Sequence, residues 1–183
     1  MASYKVEGVI LKRNNFGEAD RILTVFSQKY GKLSVLAKGV RRITSRRAGA
    51  VELFNQTSLY LHRGRTFDLL TEASCINDFS FFRRDLSKVG VAYYGAELVD
   101  RLTAEGQEHD DVYDLLVKLL GWLDGLTDNT SLDSGLERFE KSLLTKLGFW
   151  SSEMEGTVDT KLYLEELIGG RIRSAEFLHI DGL

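Results

Sequence analysis

The strongest chemical signal in the sequence is a cluster of cations between residues 38 and 47. This segment holds no acidic residue and five basic ones: Lys38, Arg41, Arg42, Arg46 and Arg47. Phosphates neutralised by such a cluster release counterions, and arginine adds bidentate phosphate contacts and stacking on bases. Gly39 and Ser45 indicate a loop. Because an isolated basic run is usually only a solvated loop, the cluster predicts a nucleic-acid site in combination with the fold around it.

Other residues extend this predicted nucleic-acid-binding face. Lys32 and Arg65 are predicted to contact the nucleic acid from a strand end and from a turn. Phe16 and Tyr30 are the predicted base-stacking residues, because each lies beside a glycine in a turn and a flat ring there can meet a base. For the other aromatic residues of this half, packing in the core is the better interpretation.

Patterns typical of enzymes are missing from the sequence. His62, His109 and His179 lie in separate segments, and Cys75 is the only cysteine. Asp110 follows His109, but an aspartate at a predicted helix start is a capping residue, so a metal site is not favoured. Phosphate-binding glycine loops and the GxSxG element of hydrolases do not occur. We therefore expect no catalytic residues, no cofactor and no metal.

Charge is distributed unevenly along the 183 residues. Residues 1–82 contain 13 basic and 7 acidic side chains, whereas residues 83–183 contain 11 basic and 20 acidic ones. The split predicts a basic and an acidic domain with different partners. No apolar run approaches the roughly 20 residues that a membrane helix needs. The single thiol, Cys75, favours a cytoplasmic protein, and its apolar surroundings predict that it is buried.

Short apolar runs in the first 80 residues predict the strands that position the basic residues. They cover residues 5–12, 21–26, 33–37, 51–62 and 67–76. Gly31 and Gly64 mark tight turns between them. Five short strands with short turns predict an OB-like five-stranded β-barrel, and barrels of this kind bind oligonucleotides on one face.

The hydrophobic period becomes helical after residue 82. The clearest helix has apolar residues at i, i+3, i+4, i+7, i+8 and i+11 between Val112 and Leu123. Further helices are predicted over residues 91–102, 136–147 and 161–168. Ser134 and Glu137 have capping-box spacing, and Gly148 suits a C-cap. The predicted fold is therefore α+β: an OB-fold nucleic-acid-binding domain over 1–80 and an all-α helical domain over 81–183.

Several ordered motifs resemble the RecO family of bacterial recombination mediators. They lie at residues 16–23, 30–32, 37–42, 92–94, 98–103 and 138–149, and the likeness covers about residues 4–150. The resemblance implies an OB fold followed by a helical domain, and a non-enzymatic protein of the bacterial nucleoid. It implies binding of single-stranded DNA, with duplex DNA as a further ligand, annealing of complementary strands and loading of recombinase onto coated DNA. RecR and the single-strand-binding protein are the implied partners.

The implied partner contacts lie in the acidic half. The C-terminal peptide of single-strand-binding protein is acidic with an apolar end, so its host is expected to be an apolar groove with one or two cations. The candidate contacts are Arg101, Arg138, Lys141 and Arg171. Many family members carry a cysteine zinc module after the position of Phe149. Here the corresponding segment, residues 150–159, is short and contains no cysteine, so we expect no zinc.

Two alternatives remain open from the residues. The first is an RNA-binding OB-fold protein, because recognition of the 2′-hydroxyl leaves no motif in the sequence. The second is a protein-interaction adaptor whose basic loop docks an acidic partner.

Overall fold

The computed structural model describes residues 2–179, which form two compact units. The first unit holds the chain up to Asp78 together with Thr103–Tyr113, and the second holds Phe79–Leu102 together with the chain from Asp114 onward. The segment Thr103–Tyr113 therefore belongs to the first unit, although it falls within the range expected for the helical domain. Among residues 2–179, no helix is both long and apolar enough to cross a membrane.

The first unit is a closed five-stranded barrel. Its strands are β1 (Ser3–Phe16), β2 (Asp20–Ser27), β3 (Gly31–Ala37), β4 (Gln56–His62) and β5 (Asp68–Asn77). Their order around the barrel is β1-β2-β3-β5-β4. The long first strand pairs with β4 through its first half and with β2 through its second half, which closes the barrel. The predicted OB-fold barrel is confirmed.

The barrel core consists of aliphatic side chains that alternate along the strands, as a half-buried sheet requires. It includes Val6, Ile10, Leu23, Val25, Val35, Leu59, Leu61 and Leu70. Val40 and Val51, which follow β3 outside the strands, also belong to this core and are fully buried. The segment between β3 and β4 is thus anchored to the barrel by its own apolar residues.

The turn between β2 and β3 depends on Gly31. Its φ of 62° is left-handed, and a Cβ at this position would lie 1.8 Å from the carbonyl oxygen of Gln107. The segment Thr103–Tyr113 packs closely here, and the Gly106 N–H donates to the Lys32 carbonyl at 2.9 Å. The predicted turn is confirmed, and the close approach gives a second reason for a glycine.

Two details of the predicted strands are wrong. The run predicted over residues 51–62 becomes a strand only from Gln56, because a short 3-10 helix (Gly49–Val51) comes first and Phe54 has a φ of 66°. Cys75 is exposed rather than buried. After Leu70 most residues of β5 are exposed, and Cys75 lies in this exposed part of the strand.

The second unit is helical. Its elements are α1 (Leu86–Leu102), α2 (Asp110–Gly125, of which the residues from Asp114 belong here), α3 (Leu132–Lys146) and α4 (Thr160–Ile168), with a terminal 3-10 helix at Arg173–His179. All four predicted helices are confirmed. The predicted N-cap is wrong: Ser134 lies inside α3, and its hydroxyl donates to the Ser131 carbonyl at 3.1 Å. Gly148 ends α3 with a φ of 80°, as predicted.

Close packing and two polar links hold this unit together. At Gly95 a Cβ would lie 2.5 Å from the Leu119 side chain, so the glycine lets α1 and α2 approach each other. The buried hydroxyl of Tyr94 donates to Glu140 on α3 at 2.6 Å. The Glu97 carboxylate accepts hydrogen bonds from the backbone N–H and the hydroxyl of Ser174, at 2.8 and 2.5 Å.

Candidate nucleic-acid interface

The segment from Lys38 to Arg47, the basic loop, follows β3 as a series of tight turns. The Arg42 N–H donates to the Gly39 carbonyl at 3.1 Å, and the Ser45 N–H donates to the Arg42 carbonyl at 2.9 Å. Gly39 permits the first turn because its φ is 64°. These hydrogen bonds give the loop a defined path, with a backbone-bonded turn at its tip.

The first half of the basic loop is fixed to the turn between β1 and β2. The Gly39 N–H donates to the Asp20 carboxylate at 2.7 Å, and the Arg41 N–H donates to the Ala19 carbonyl at 2.9 Å. The Arg41 guanidinium also reaches this turn, where it donates to the Glu18 carbonyl at 3.2 Å. Arg41 therefore braces the loop in addition to contributing charge.

Arg47 fixes the end of the loop to the sheet. Its guanidinium donates to the carbonyl oxygens of Leu70 on β5 and of Lys38, both at 2.8 Å. Removal of the Arg47 guanidinium would take a charged donor from both carbonyls. We therefore assign Arg47 a bracing role, which its position in the sequence did not reveal.

Three cations of the basic loop remain open to a ligand. Lys38, Arg42 and Arg46 are exposed, and within the described part of the chain their side chains make no hydrogen bond or ion pair. A charge that needs no rearrangement to meet phosphate is the better DNA contact. The five cations look equivalent in the sequence. The structure divides them into two bracing arginines, Arg41 and Arg47, and three cations whose side chains have no described partner.

The other predicted contacts are spread over both ends of the barrel. Phe16 is 48% exposed and ends β1 opposite Asp20, the residue that binds the basic loop. Tyr30 precedes β3, whereas the basic loop follows it, so Tyr30 and the basic loop lie at opposite ends of β3. Tyr30 is half-buried, with its ring edge-on to Tyr4 at 5.0 Å, so less of this ring than of the Phe16 ring is open to a base.

Lys32 and Arg65 lie toward the end of the barrel that holds Tyr30. The Lys32 ammonium donates to the Thr103 carbonyl at 2.9 Å and is half-buried, so part of its charge is already engaged. Arg65 is exposed in the turn between β4 and β5. This turn follows His62, which pairs with Ser3 at the start of β1. The predicted patch is therefore two groups of cations separated by the length of β3.

Arg13 and Arg21 belong to an ion-pair cluster rather than to the open cations. Arg13 contacts the Glu52 carboxylate at 2.5 Å, and Arg21 contacts it at 3.8 Å. The three residues join β1 and β2 to the segment between β3 and β4.

A groove of about 310 Å³ lies between α2 and α3 in the helical unit. Its apolar wall includes Leu115, Leu119, Trp122 and Phe139. Gly135 makes room for the indole, because a Cβ there would lie 2.1 Å from the Trp122 ring. Two exposed cations, Lys118 and Arg138, also line the groove, and in the described residues neither side chain has an ionic partner.

The four predicted partner contacts do not come together. Arg138 lines the groove, whereas Lys141 pairs with Glu137 and Glu155, each at 2.9 Å. Arg101 donates to Glu97 and to the Arg171 carbonyl, at 3.2 and 2.7 Å, and so links α1 to the C-terminal segment. Lys118 is a groove residue that was not predicted, although it lies three residues after Leu115 and four before Trp122, which places it beside the apolar stripe of α2.

Residues 2–179 contain no group of three or more His, Cys, Asp or Glu side chains placed to hold a metal ion. The side chain of His179 lies outside the part of the chain that the structure describes. The absence of zinc stays a prediction. Elemental analysis of the purified protein tests it.

Two family models match the chain in order. Recombination protein O N terminal matches residues 1–79, and Recombination protein O C terminal matches residues 83–151. A DNA repair protein RecO of Pelotomaculum thermopropionicum is 32% identical over 177 residues, which cover 94% of this chain and 68% of that protein. The chain belongs to the RecO family. The resemblance seen in the motifs is confirmed.

Other RecO relatives match over a smaller share of their length. A DNA repair protein RecO of a Roseiflexus species is 40% identical over 146 residues, or 80% of this chain and 50% of that protein. One of Symbiobacterium thermophilum is 36% identical over 150 residues, or 81% of this chain and 58% of that protein. The chain thus spans about half to two thirds of the length of these relatives.

Proposed function

We propose that this RecO-family chain binds single-stranded DNA, anneals complementary strands and assists the loading of a recombinase on coated DNA. One observation carries the proposal. Lys38, Arg42 and Arg46 are held exposed on a braced loop at one end of an OB-fold barrel. The name of the relatives, DNA repair protein RecO, supports a role in repair and recombination.

The outer face of β2 and β3 is the proposed DNA track. The basic loop and Phe16 lie at one end of β3, and Lys32 and Arg65 lie toward the other. Seven residues of extended strand span about 23 Å. This length suits the lower part of the range of about 4–16 nucleotides that one OB fold occupies. The exposed cations would hold phosphates at both ends while the bases face the sheet.

Annealing follows from the same contacts and needs no covalent chemistry. Two complementary strands repel each other through their phosphates, and cations that neutralise both strands reduce this repulsion. Bound bases remain available for pairing because phosphate contacts fix the strand without reading its sequence. The chain would therefore act by charge and position, without catalytic residues.

Fluorescence anisotropy with a labelled single-stranded oligonucleotide tests the proposal. The double variant Arg42→Ala/Arg46→Ala should bind at least tenfold more weakly than the parent at moderate salt, because each charge-assisted contact contributes roughly 1.5–3 kcal/mol. Arg84→Ala/Arg173→Ala is the matched control, since it removes two exposed arginines from the helical unit. Equal affinity of both double variants and the parent would remove the basic loop from the DNA site.

The same titration separates the rival functions. Competition between DNA and RNA oligonucleotides of matched sequence decides whether RNA is the preferred ligand. A duplex of the same sequence tests duplex DNA as a further ligand. A chain that binds none of the three, yet captures an acidic peptide through the basic loop, is an adaptor and not a DNA-binding protein.

For the helical unit we propose that the groove between α2 and α3 binds the C-terminal peptide of single-strand-binding protein. The apolar wall around Trp122 suits the apolar end of that peptide, and Lys118 and Arg138 complement its acidic residues. Charge reversal in Arg138→Glu should weaken binding of the peptide to the full chain about tenfold or more. Arg173→Glu is the control outside the groove. Equal weakening by both variants would show a non-specific charge effect.

RecR is the second proposed protein partner, on the family relationship alone. Co-elution of the purified chain with RecR in size-exclusion chromatography tests this interaction directly. Separate elution at micromolar concentrations would remove RecR from the proposal for this chain.

A further inference from the structure

An exposed aliphatic residue occupies the tip of the basic loop. Ile43 has a relative exposure of 104%, the highest of the exposed large hydrophobic residues. Three positions earlier, Val40 is fully buried in the barrel core. The loop therefore anchors one β-branched side chain in the protein and presents a second one to solvent.

Hydrogen bonds fix the loop on both sides of Ile43. Ile43 follows Arg42 in the turn closed by the hydrogen bond from the Ser45 N–H to the Arg42 carbonyl. On one side Arg41 is fixed to the turn between β1 and β2, and on the other Arg47 is fixed to β5. Because β-branched side chains also lose little rotamer freedom, Ile43 is a stiff apolar projection.

The surroundings of Ile43 indicate what it meets. A single exposed apolar residue is ordinary on protein surfaces and by itself indicates nothing. Here Arg42 precedes it, Arg46 follows three residues later, and the segment from 38 to 47 contains no acidic residue. A nucleic-acid strand carries negatively charged phosphates on either side of bases with apolar faces. An apolar tip between exposed cations complements this arrangement. Apolar wedges of isoleucine, leucine or phenylalanine enter between bases in other DNA-binding proteins.

We infer that Ile43 inserts between adjacent bases of the bound strand while Arg42 and Arg46 hold the phosphates on either side. This inference rests on the proposed binding of single-stranded DNA and adds a base-contacting residue to it. Insertion interrupts the stacking of the strand at one step. It also favours single strands over duplex, because a duplex must be unstacked and kinked before the same side chain can enter.

The test uses a single-stranded adenine oligonucleotide that carries 2-aminopurine, whose fluorescence rises when neighbouring bases unstack. At saturating protein, the parent chain should raise the fluorescence. Ile43→Ser should bind about threefold to tenfold more weakly, with an unchanged salt dependence, and should lose the fluorescence rise. Ile43→Leu should restore it. Leu162→Ser is the matched control, because Leu162 is 66% exposed on the helical unit.

The outcomes separate this inference from the proposed function. An unchanged fluorescence rise with Ile43→Ser, at saturation, overturns the insertion and leaves DNA binding intact. If the parent chain binds no oligonucleotide, both the insertion and the proposed function are wrong. A basic loop with an apolar tip also suits a membrane surface. Sedimentation with anionic lipid vesicles that depends on Ile43, with no effect on the DNA signals, would assign the tip to membranes and overturn the insertion.

Discussion

The Arg47 guanidinium donates a hydrogen bond at 2.8 Å to the carbonyl oxygen of Leu70, which lies 23 residues further along the chain. A second nitrogen of the same guanidinium donates to the Lys38 carbonyl, so one side chain joins both ends of the basic loop to β5. Arg41 reaches the Glu18 carbonyl in a similar way. Within the basic loop, the bracing hydrogen bonds and the proposed DNA contacts therefore belong to different arginines.

Arg47→Ala should lower the free energy of unfolding by about 1–2 kcal/mol, because two carbonyls lose a charged donor. The partial exposure of the side chain keeps this loss moderate. Arg46→Ala, the neighbouring exposed arginine, should change it by no more than about 0.5 kcal/mol. Urea unfolding followed by circular dichroism measures both. A smaller loss for Arg47→Ala than for Arg46→Ala would show that the hydrogen bonds to Leu70 and Lys38 do not stabilise the fold.

Replacing the two open arginines should change the salt dependence of DNA binding by a known amount. For single strands each phosphate contact contributes about −0.7 to the slope of log affinity against log salt concentration. Arg42→Ala/Arg46→Ala should therefore make the slope less steep by about 1.4, with little loss of stability. Titrations of one oligonucleotide at several salt concentrations measure the slope. An unchanged slope with lower affinity would mean that these arginines meet bases instead of phosphates.

The sequence predicted the elements of this chain better than the grouping of its site residues. The helix around Leu115 and Leu119 is encoded by local periodicity, and short-range patterns of this kind need no tertiary information. The roles of Arg41 and Arg47 depend on carbonyls in strands that are distant in sequence, so no local pattern reveals them. The position of Tyr30 also depends on strand pairing and not on a local pattern. The register of β2 and β3 places Tyr30 at the end of the barrel away from Phe16.

Errors at element boundaries have related causes. Ser134 and Glu137 fit a capping box, but α3 begins at Leu132 because its first turn is formed by a backbone bond from the Gly135 N–H to the Ser131 carbonyl. The groove beside Lys118 requires two helices to meet. Gly135 allows this approach, because the Trp122 ring lies against it. In the sequence alone, Gly135 indicates only a residue that lowers helix stability.

The acid stability of the helical unit should depend on Glu97. Burial alone would raise its pKa, but hydrogen bonds from Ser174, the Arg173 N–H and Arg101 hold the pKa below the usual 4.5. A lowered folded pKa means that the stabilisation is complete above about pH 4.5 and is lost as pH falls through the lower folded value. Glu97→Gln should cost about 1–2 kcal/mol at neutral pH.

The difference between the parent chain and Glu97→Gln should shrink as pH falls below about 4.5, because the parent carboxyl then becomes protonated and resembles the amide. Urea unfolding of both proteins at neutral and acidic pH measures this. A difference that stays constant across the range would show that the loss comes from packing and not from the ionised carboxylate.

The buried pair of Tyr94 and Glu140 should give the opposite dependence on pH. Burial raises the pKa of Glu140, although the hydrogen bond from Tyr94 partly offsets this. Because the folded pKa is raised, the native state binds the proton more tightly than the unfolded chain. Stability therefore falls as pH rises from about 4.5 through the raised value. Burial also raises the pKa of Tyr94, which keeps its phenol protonated and able to donate.

Tyr94→Phe removes the donor and leaves the carboxylate buried without it. The variant should lose about 1–3 kcal/mol at neutral pH, where Glu140 is more ionised, and less in acid, where a neutral carboxyl needs the donor less. Its stability should also fall more steeply with rising pH than that of the parent. Tyr60→Phe is the control, since Tyr60 is exposed on β4 and its hydroxyl makes no hydrogen bond within residues 2–179. Equal losses for Tyr94→Phe at acidic and neutral pH would show that Glu140 does not ionise in the folded protein.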